Sequence, residues 1–71
     1  MTKTKKENVE LMIEKLQKDP DKFERMFAAQ YLAKYNFLIS KNHLKRAVLE
    51  DTDPEVVHCI RKILEDKEVI P

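Results

Sequence analysis

The sequence predicts an all-α fold of four short helices in a single domain. The 71-residue chain contains no glycine, and the tight turns and bulges of strand-rich proteins depend on glycine at positive φ. Charged residues make up 38% of the chain and aromatic residues 7%, which is typical of amphipathic helices with charged outer faces. Apolar residues recur at helical spacing in four segments, and a chain of this length forms one domain at most.

The first helix is predicted from about Glu7 to Lys18. One stripe of apolar residues follows helical spacing through it: Val9, Met12, Ile13 and Leu16. Residues 1–6 are polar and basic, so we expect them to be a flexible N-terminus. Asp19 and Pro20 end this helix and begin the next, because aspartate is a favoured N-cap and proline a favoured first helical residue.

The second helix is predicted from Pro20 to about Tyr35, and it is apolar on two sides. One side carries a stripe of large side chains, namely Phe23, Met26, Phe27, Tyr31 and Tyr35. The other side is made of Ala28, Ala29, Leu32 and Ala33. A helix that is apolar nearly all round is expected to be buried on more than one face.

A turn at 36–40 is predicted next. Asn36 is suited to the left-handed cap conformation, and Ser40 or Asn42 to the N-cap of the following helix. The third helix is predicted at about 41–50. Its inward side chains are Leu44, Ala47 and Val48.

A second cap-plus-proline pair, Asp53 and Pro54, begins the fourth helix, which is predicted to run to about Lys67. Its inner stripe consists of Val56, Cys59, Ile60, Ile63 and Leu64. The helical domain is therefore predicted at 7–68, with a short apolar tail at 69–71.

The segment 44–56, which ends in Asp51-Thr52-Asp53-Pro54-Glu55-Val56, resembles a HEAT repeat. The resemblance extends over most of the chain, about 9–64. It departs from the family pattern where Val57 replaces an arginine and Tyr31 a small residue, and the spacing of 34 residues between positions 19 and 53 is short for the family. The resemblance implies HEAT-like antiparallel helix pairs and binding rather than chemistry. The alternative is a compact four-helix bundle with similar capping.

The residues that usually perform catalysis or bind metals are scarce and scattered. Cys59 is the only cysteine, so neither an internal disulfide nor a cysteine-rich zinc site is expected. His43 and His58 lie on different predicted helices, and the chain has one serine and three threonines. We therefore predict no enzyme activity, no metal, no cofactor and no small-molecule substrate.

The expected location is the cytoplasm. A lone cysteine suits a reducing compartment, and the N-terminal segment 1–8 lacks the apolar run of a signal peptide. The longest nearly apolar stretch, 26–39, includes Gln30, Lys34 and Asn36, so it is too short and too polar to span a bilayer. Membrane association is not expected.

The leading functional prediction is a protein–protein interaction module, such as an adaptor, an inhibitor or a small subunit. Several apolar residues are in excess of what the single inward stripes of a four-helix core can bury, namely Leu11, Phe37, Leu38 and the tail residues Val69 and Ile70. We expect binding of a protein partner, or self-association, through Tyr31, Tyr35, Phe37 and Leu38.

The alternative prediction is a small DNA-binding regulator. The formal net charge of +1 hides a basic middle, because 25–49 contains five basic residues and no acidic one. The segment 28–48 resembles a helix-turn-helix whose recognition helix would begin at Ser40. The resemblance implies DNA contacts from Lys41, Asn42, His43, Lys45 and Arg46.

Overall fold

The computed structural model describes residues 5–67, with side chains from residue 8 onward. This range contains four helices of 14 residues each. The helices are α1 (Lys5–Lys18), α2 (Lys22–Tyr35), α3 (Phe37–Glu50) and α4 (Pro54–Lys67). The prediction of an all-α fold with four helices is confirmed. The tail at 69–71 and most of the predicted flexible N-terminus lie outside the described residues.

Helices α1 and α2 form an antiparallel hairpin. The Lys15 ammonium, near the end of α1, lies 2.7 Å from the Glu24 carboxylate near the start of α2. At the opposite end of the hairpin, Asn8 of α1 lines the same surface depression as Tyr31 and Tyr35 of α2. Since residues early in one helix lie beside residues late in the other, the two helices run in opposite directions.

Helix α2 is the centre of the fold, because it contacts each of the other three helices. It runs parallel to α4: Lys22 forms an ion pair with Glu55 near the start of both helices, and Gln30 lies 3.8 Å from the Cys59 sulfur further along. No Cα atom of α1 lies within 8 Å of one in α4 over 5–67, whereas α1 also contacts α3. The described chain is therefore two helical hairpins, α1–α2 and α3–α4, that meet mainly along α2.

The start of α2 differs from the prediction. Asp21, not Asp19, is the N-cap, and its carboxylate accepts a 2.8 Å hydrogen bond from the backbone N–H of Phe23. The Asp19 carboxylate instead accepts from the N–H of Asp21 at 2.9 Å. This local hydrogen bond shapes the link between the helices, so Pro20 lies before α2 rather than in its first turn.

The start of α4 is as predicted. Pro54 is its first residue, and the Asp53 carboxylate accepts a 2.8 Å hydrogen bond from the N–H of Glu55. The missing N–H of proline costs nothing at this position, where no helical carbonyl is available to receive it.

The predicted turn at 36–40 is wrong, because Asn36 alone separates α2 from α3. Its N–H donates to the Leu32 carbonyl at 2.8 Å, and its own carbonyl accepts from the N–H of Ser40 at 3.0 Å. Its φ of −145° lies far from the left-handed cap conformation that was predicted. The chain therefore ends one helix and begins the next at a single residue.

The core consists of the inward stripes of all four helices. Its largest fully buried side chains are Leu16, Leu32, Leu44, Val56 and Ile60. The stripes predicted for α1, α3 and α4 are confirmed, with Met12, Ile13, Val48, Ile63 and Leu64 partly buried against this core. Ala28 and Ala29 are also fully buried, and their small side chains let neighbouring helices approach α2 closely.

The prediction that α2 is buried on more than one face is wrong for its aromatic side. Phe23, Phe27 and Tyr35 are 64%, 51% and 61% exposed, whereas the alanine side faces the core. Only one side of α2 packs against the three neighbouring helices, and the side with small residues permits the closer packing. The large rings are left on the outside.

Candidate functional site

The exposed side of α2 carries a row of four aromatic rings, Phe23, Phe27, Tyr31 and Tyr35, which we name the aromatic stripe. Its members are four residues apart, so they follow one another along the helix surface. The ring centroids of Phe27 and Tyr31 are 6.3 Å apart, and those of Tyr31 and Tyr35 are 4.9 Å apart. These are tilted pairs within the distance range of favourable aromatic contacts.

A lysine lies at each end of the aromatic stripe. The Lys22 ammonium is 5.3 Å from the centroid of the Phe23 ring, and the Lys34 ammonium is 5.4 Å from that of Tyr35. Both distances allow a cation–π attraction. The stripe is thus an apolar strip with a lysine at each end, and Lys22 is also paired with Glu55.

The structure divides the four predicted partner-binding residues among three environments. Tyr31 and Tyr35 both belong to the aromatic stripe, with Tyr31 half-buried and Tyr35 exposed. Phe37 packs partly buried against the core. Leu38 is 88% exposed on a different helix, α3.

A second exposed row follows α3: Leu38, Asn42, Lys45 and Leu49, which we name the α3 outer face. Leu49 is 86% exposed, and Ile39, beside the row, is 67% exposed. Neither Leu49 nor Ile39 was among the predicted site residues. The spacing of both residues relative to the buried Leu44 and Ala47 indicates an outward position. The prediction placed Ile39 in a turn at 36–40, so it left out the first turn of this helix.

The residues predicted to contact nucleic acid differ in exposure. Asn42, Lys45 and Arg46 are exposed, whereas Lys41 and His43 are half-buried. His43 faces α1, where its Nδ1 lies 3.4 Å from the Gln17 side-chain nitrogen. Arg46 donates a 2.9 Å hydrogen bond to the Glu50 carboxylate, which holds the pKa of its guanidinium above the usual value.

The geometry between α2 and α3 also departs from a helix-turn-helix. That motif joins its helices by a turn of three or four residues, and here Asn36 alone lies between them. Ser40, the predicted start of the recognition helix, is fully buried inside α3.

The potentially reactive side chains are dispersed. No three histidine, cysteine or acidic residues within 5–67 are arranged to hold a metal ion. Cys59 is half-buried against Gln30, and His58 is exposed. Two of the surface depressions measure about 60 Å³, between α1 and α3, and about 470 Å³, beside Leu11 and Met12 on α1, and neither is lined by a histidine or by Cys59. None of the four helices has the length and apolar character needed to cross a membrane.

Comparison of the chain with protein families, with characterised proteins and with solved structures found no significant match. The resemblance to HEAT repeats therefore stays a prediction. The features of the chain that indicate a function are the two exposed rows on α2 and α3 and the charges around them.

Proposed function

We propose that this chain is a protein–protein interaction module that binds its partner through the aromatic stripe of α2. The observation that carries the proposal is the exposure of Phe23, Phe27 and Tyr35, each more than half accessible to solvent and all in one row. Large aromatic side chains supply most of the binding energy at many protein interfaces. Contiguous exposed apolar surface on a small domain is typical of an interaction site.

The contacts within the stripe favour binding. Phe27, Tyr31 and Tyr35 already pack against one another, so their rings lose little rotational freedom when a partner covers them. The tyrosine hydroxyls and the end lysines, Lys22 and Lys34, provide polar contacts at the rim. An adaptor, an inhibitor or a small subunit of an assembly would use such a surface.

The DNA-binding alternative has weaker support. Its exposed cations Lys45 and Arg46 lie beside Leu49 and Ile39, which offer no contact to a phosphate backbone. Arg46 is also engaged with Glu50. Retention on generic duplex DNA that falls with salt and disappears in the Lys45→Glu/Arg46→Glu variant would favour this alternative.

The experiment for the protein-binding proposal compares three proteins by quantitative crosslinking in an extract of the source cells. The wild type is compared with a Phe27→Gln/Tyr35→Gln variant and with Leu11→Gln. Leu11 is a matched control because it is 43% exposed on α1, outside the stripe. Sedimentation velocity on the same three proteins reports self-association.

We expect a defined set of proteins, or a homo-oligomer, that is lost in the stripe variant and retained in the control. Equal capture by all three proteins would contradict the proposal. A wild-type chain that remains monomeric and captures nothing reproducibly would contradict it as well.

A further inference from the structure

The α3 outer face contains the two most exposed large apolar side chains of the described residues, Leu38 and Leu49. They are eleven residues apart on one helix, which places them about 16 Å apart along its axis. Ile39 lies beside Leu38 and is also mostly exposed. No helix of the described chain covers this side, since the core-facing side chains Ser40, Leu44 and Ala47 lie opposite.

The spacing along this face matches a helix–helix seam. Leu38, Asn42, Lys45 and Leu49 are separated by four, three and four residues, which is the a/d spacing of a helix that packs along a partner helix. The two leucines occupy the ends, and the polar Asn42 and Lys45 occupy the middle. Polar residues at such positions determine the register and the choice of partner at a cost in affinity.

The charge around the seam is positive. Helix α3 carries Lys41, Lys45 and Arg46 against the single acid Glu50, and 25–49 contains no acidic residue at all. Interfaces match opposite charges, and like charges brought together suppress the wrong partner. A partner for this face should therefore carry carboxylates beside its apolar seam.

A second copy of the chain fits this face poorly. A parallel pair of α3 helices would place Lys45 opposite Lys45. An antiparallel pair that places Leu38 opposite Leu49 would place Asn42 opposite Lys45, but it would still bring together two helices that each carry Lys41, Lys45 and Arg46 against the single acid Glu50. Both arrangements therefore join two surfaces of net positive charge.

We propose that the α3 outer face docks an acidic amphipathic helix of a protein partner. Aliphatic side chains of that helix contact Leu38 and Leu49, and its carboxylates lie near Lys45 at the centre of the seam. The inference rests on the proposed role as a binding module, but it uses a different helix from the aromatic stripe. The seam is only three turns long, so we expect a dissociation constant on the order of tens of micromolar, as in small transient interfaces.

The test uses three synthetic helical peptides of equal length. The first has leucines at four-three-four spacing flanked by glutamates, the second has lysines in place of the glutamates, and the third is a scramble of the first. Fluorescence anisotropy measures the binding of each peptide to the full chain at two salt concentrations. We expect the acidic peptide to bind at least tenfold more tightly than the other two, and less tightly at high salt.

Two variants and two matched controls assign the binding to this face. Leu38→Gln/Leu49→Gln, which keeps helix propensity, should weaken the acidic peptide at least tenfold, and Lys45→Glu should shift preference toward the basic peptide. Leu11→Gln and Lys62→Glu, at exposed positions on α1 and α4, should bind as the wild type does. Circular dichroism confirms that each variant keeps its helices.

Equal binding of the acidic and basic peptides, or unchanged binding by the Leu38/Leu49 variant, would overturn this inference. Loss of peptide binding in the Phe27/Tyr35 variant instead would assign the peptide to the aromatic stripe and overturn it too. If no peptide binds while stripe-dependent capture persists, the α3 inference fails alone and the proposed function stands. If capture fails while the acidic peptide binds as expected, the aromatic-stripe proposal fails alone.

Discussion

Arg25 of α2 and Asp51, in the loop between α3 and α4, form an ion pair that joins the two hairpins. The Arg25 Nε lies 2.9 Å from one carboxylate oxygen of Asp51, and the side chains are only 14% and 6% exposed. A second guanidinium nitrogen of Arg25 donates to the backbone carbonyl of Asp19 at 2.7 Å. One side chain therefore holds together α2, the α1–α2 loop and the α3–α4 loop.

Replacing Arg25 by methionine should lower the free energy of unfolding by about 3 kcal/mol, because the Asp51 carboxylate would stay buried without its cation. Urea unfolding followed by circular dichroism measures the loss. Arg46→Met is the control, since both Arg46 and its partner Glu50 are largely exposed and exposed ion pairs contribute little to stability. Similar losses of unfolding free energy in the two variants would contradict the assignment of Arg25–Asp51 as a buried ion pair that joins the two hairpins.

The orientation of α2 predicts a large loss of stability when Leu32 is truncated and a small loss when Phe27 is truncated. Leu32→Ala should cost about 2–5 kcal/mol, because Leu32 is fully buried at the centre of the core. Phe27→Ala, which removes a larger side chain from the exposed side, should cost less than about 1 kcal/mol. Chemical denaturation of both variants distinguishes this orientation from one in which the aromatic side is buried.

The reason that the sequence could not predict this orientation is that both sides of α2 are apolar. For α1 and α4, one stripe such as Val56 and Ile60 is apolar and the opposite side is mostly polar or charged, so the pattern alone predicted the buried face. For α2, the pattern favours Phe27 and Ala28 about equally. The outcome depends on how closely neighbouring helices approach, which is a property of the tertiary packing.

The candidate surfaces were predictable only in part. The i, i+4 spacing of Tyr31 and Tyr35 correctly predicted neighbouring rings. The α3 outer face was missed because Asn36 and Ser40 both favour turns and caps, and together they suggested a five-residue turn. In the structure Ser40 continues the inner stripe with Leu44 and Ala47, and this places Leu38 and Leu49 in one outer row.

Acid should destabilise the α1–α2 connection through Asp19. The hydrogen bond from the Asp21 N–H, and next the Lys15 ammonium, hold the pKa of the Asp19 carboxyl below its usual value. A lowered folded-state pKa contributes stability that is complete above the unfolded value and is lost as the pH falls through the folded value. The loss should therefore occur below about pH 4.

Thermal unfolding of the wild type and of Asp19→Asn between pH 6 and pH 2 measures this contribution. This pH range brackets the titration of carboxyl groups at about pH 4. The melting temperature of Asp19→Asn should fall less steeply below pH 4, because asparagine still accepts the Asp21 hydrogen bond but does not titrate. Lys15→Gln should keep most of the wild-type slope, since the backbone hydrogen bond is the larger cause. Identical slopes for the wild type and Asp19→Asn would contradict the assignment.

The buried hydroxyl of Ser40 should be a net cost to stability. The side chain is fully buried, and within the described residues its Oγ has no hydrogen-bond partner. Burying an unpaired hydroxyl is unfavourable, and alanine is also the better helix former. Ser40→Ala should therefore raise the free energy of unfolding by about 1 kcal/mol.

The reverse substitution nearby provides the matched control. Ala47 lies two turns further along α3 on the same buried side, so Ala47→Ser should lower the free energy of unfolding by about 1 kcal/mol. Urea unfolding of the two variants and the wild type gives both values. If Ser40→Ala destabilises the chain instead, the hydroxyl must have a partner that offsets its burial, such as the carbonyl of Asn36 one turn before it. That result would show that the Ser40 hydroxyl stabilises the junction between α2 and α3 through a hydrogen bond.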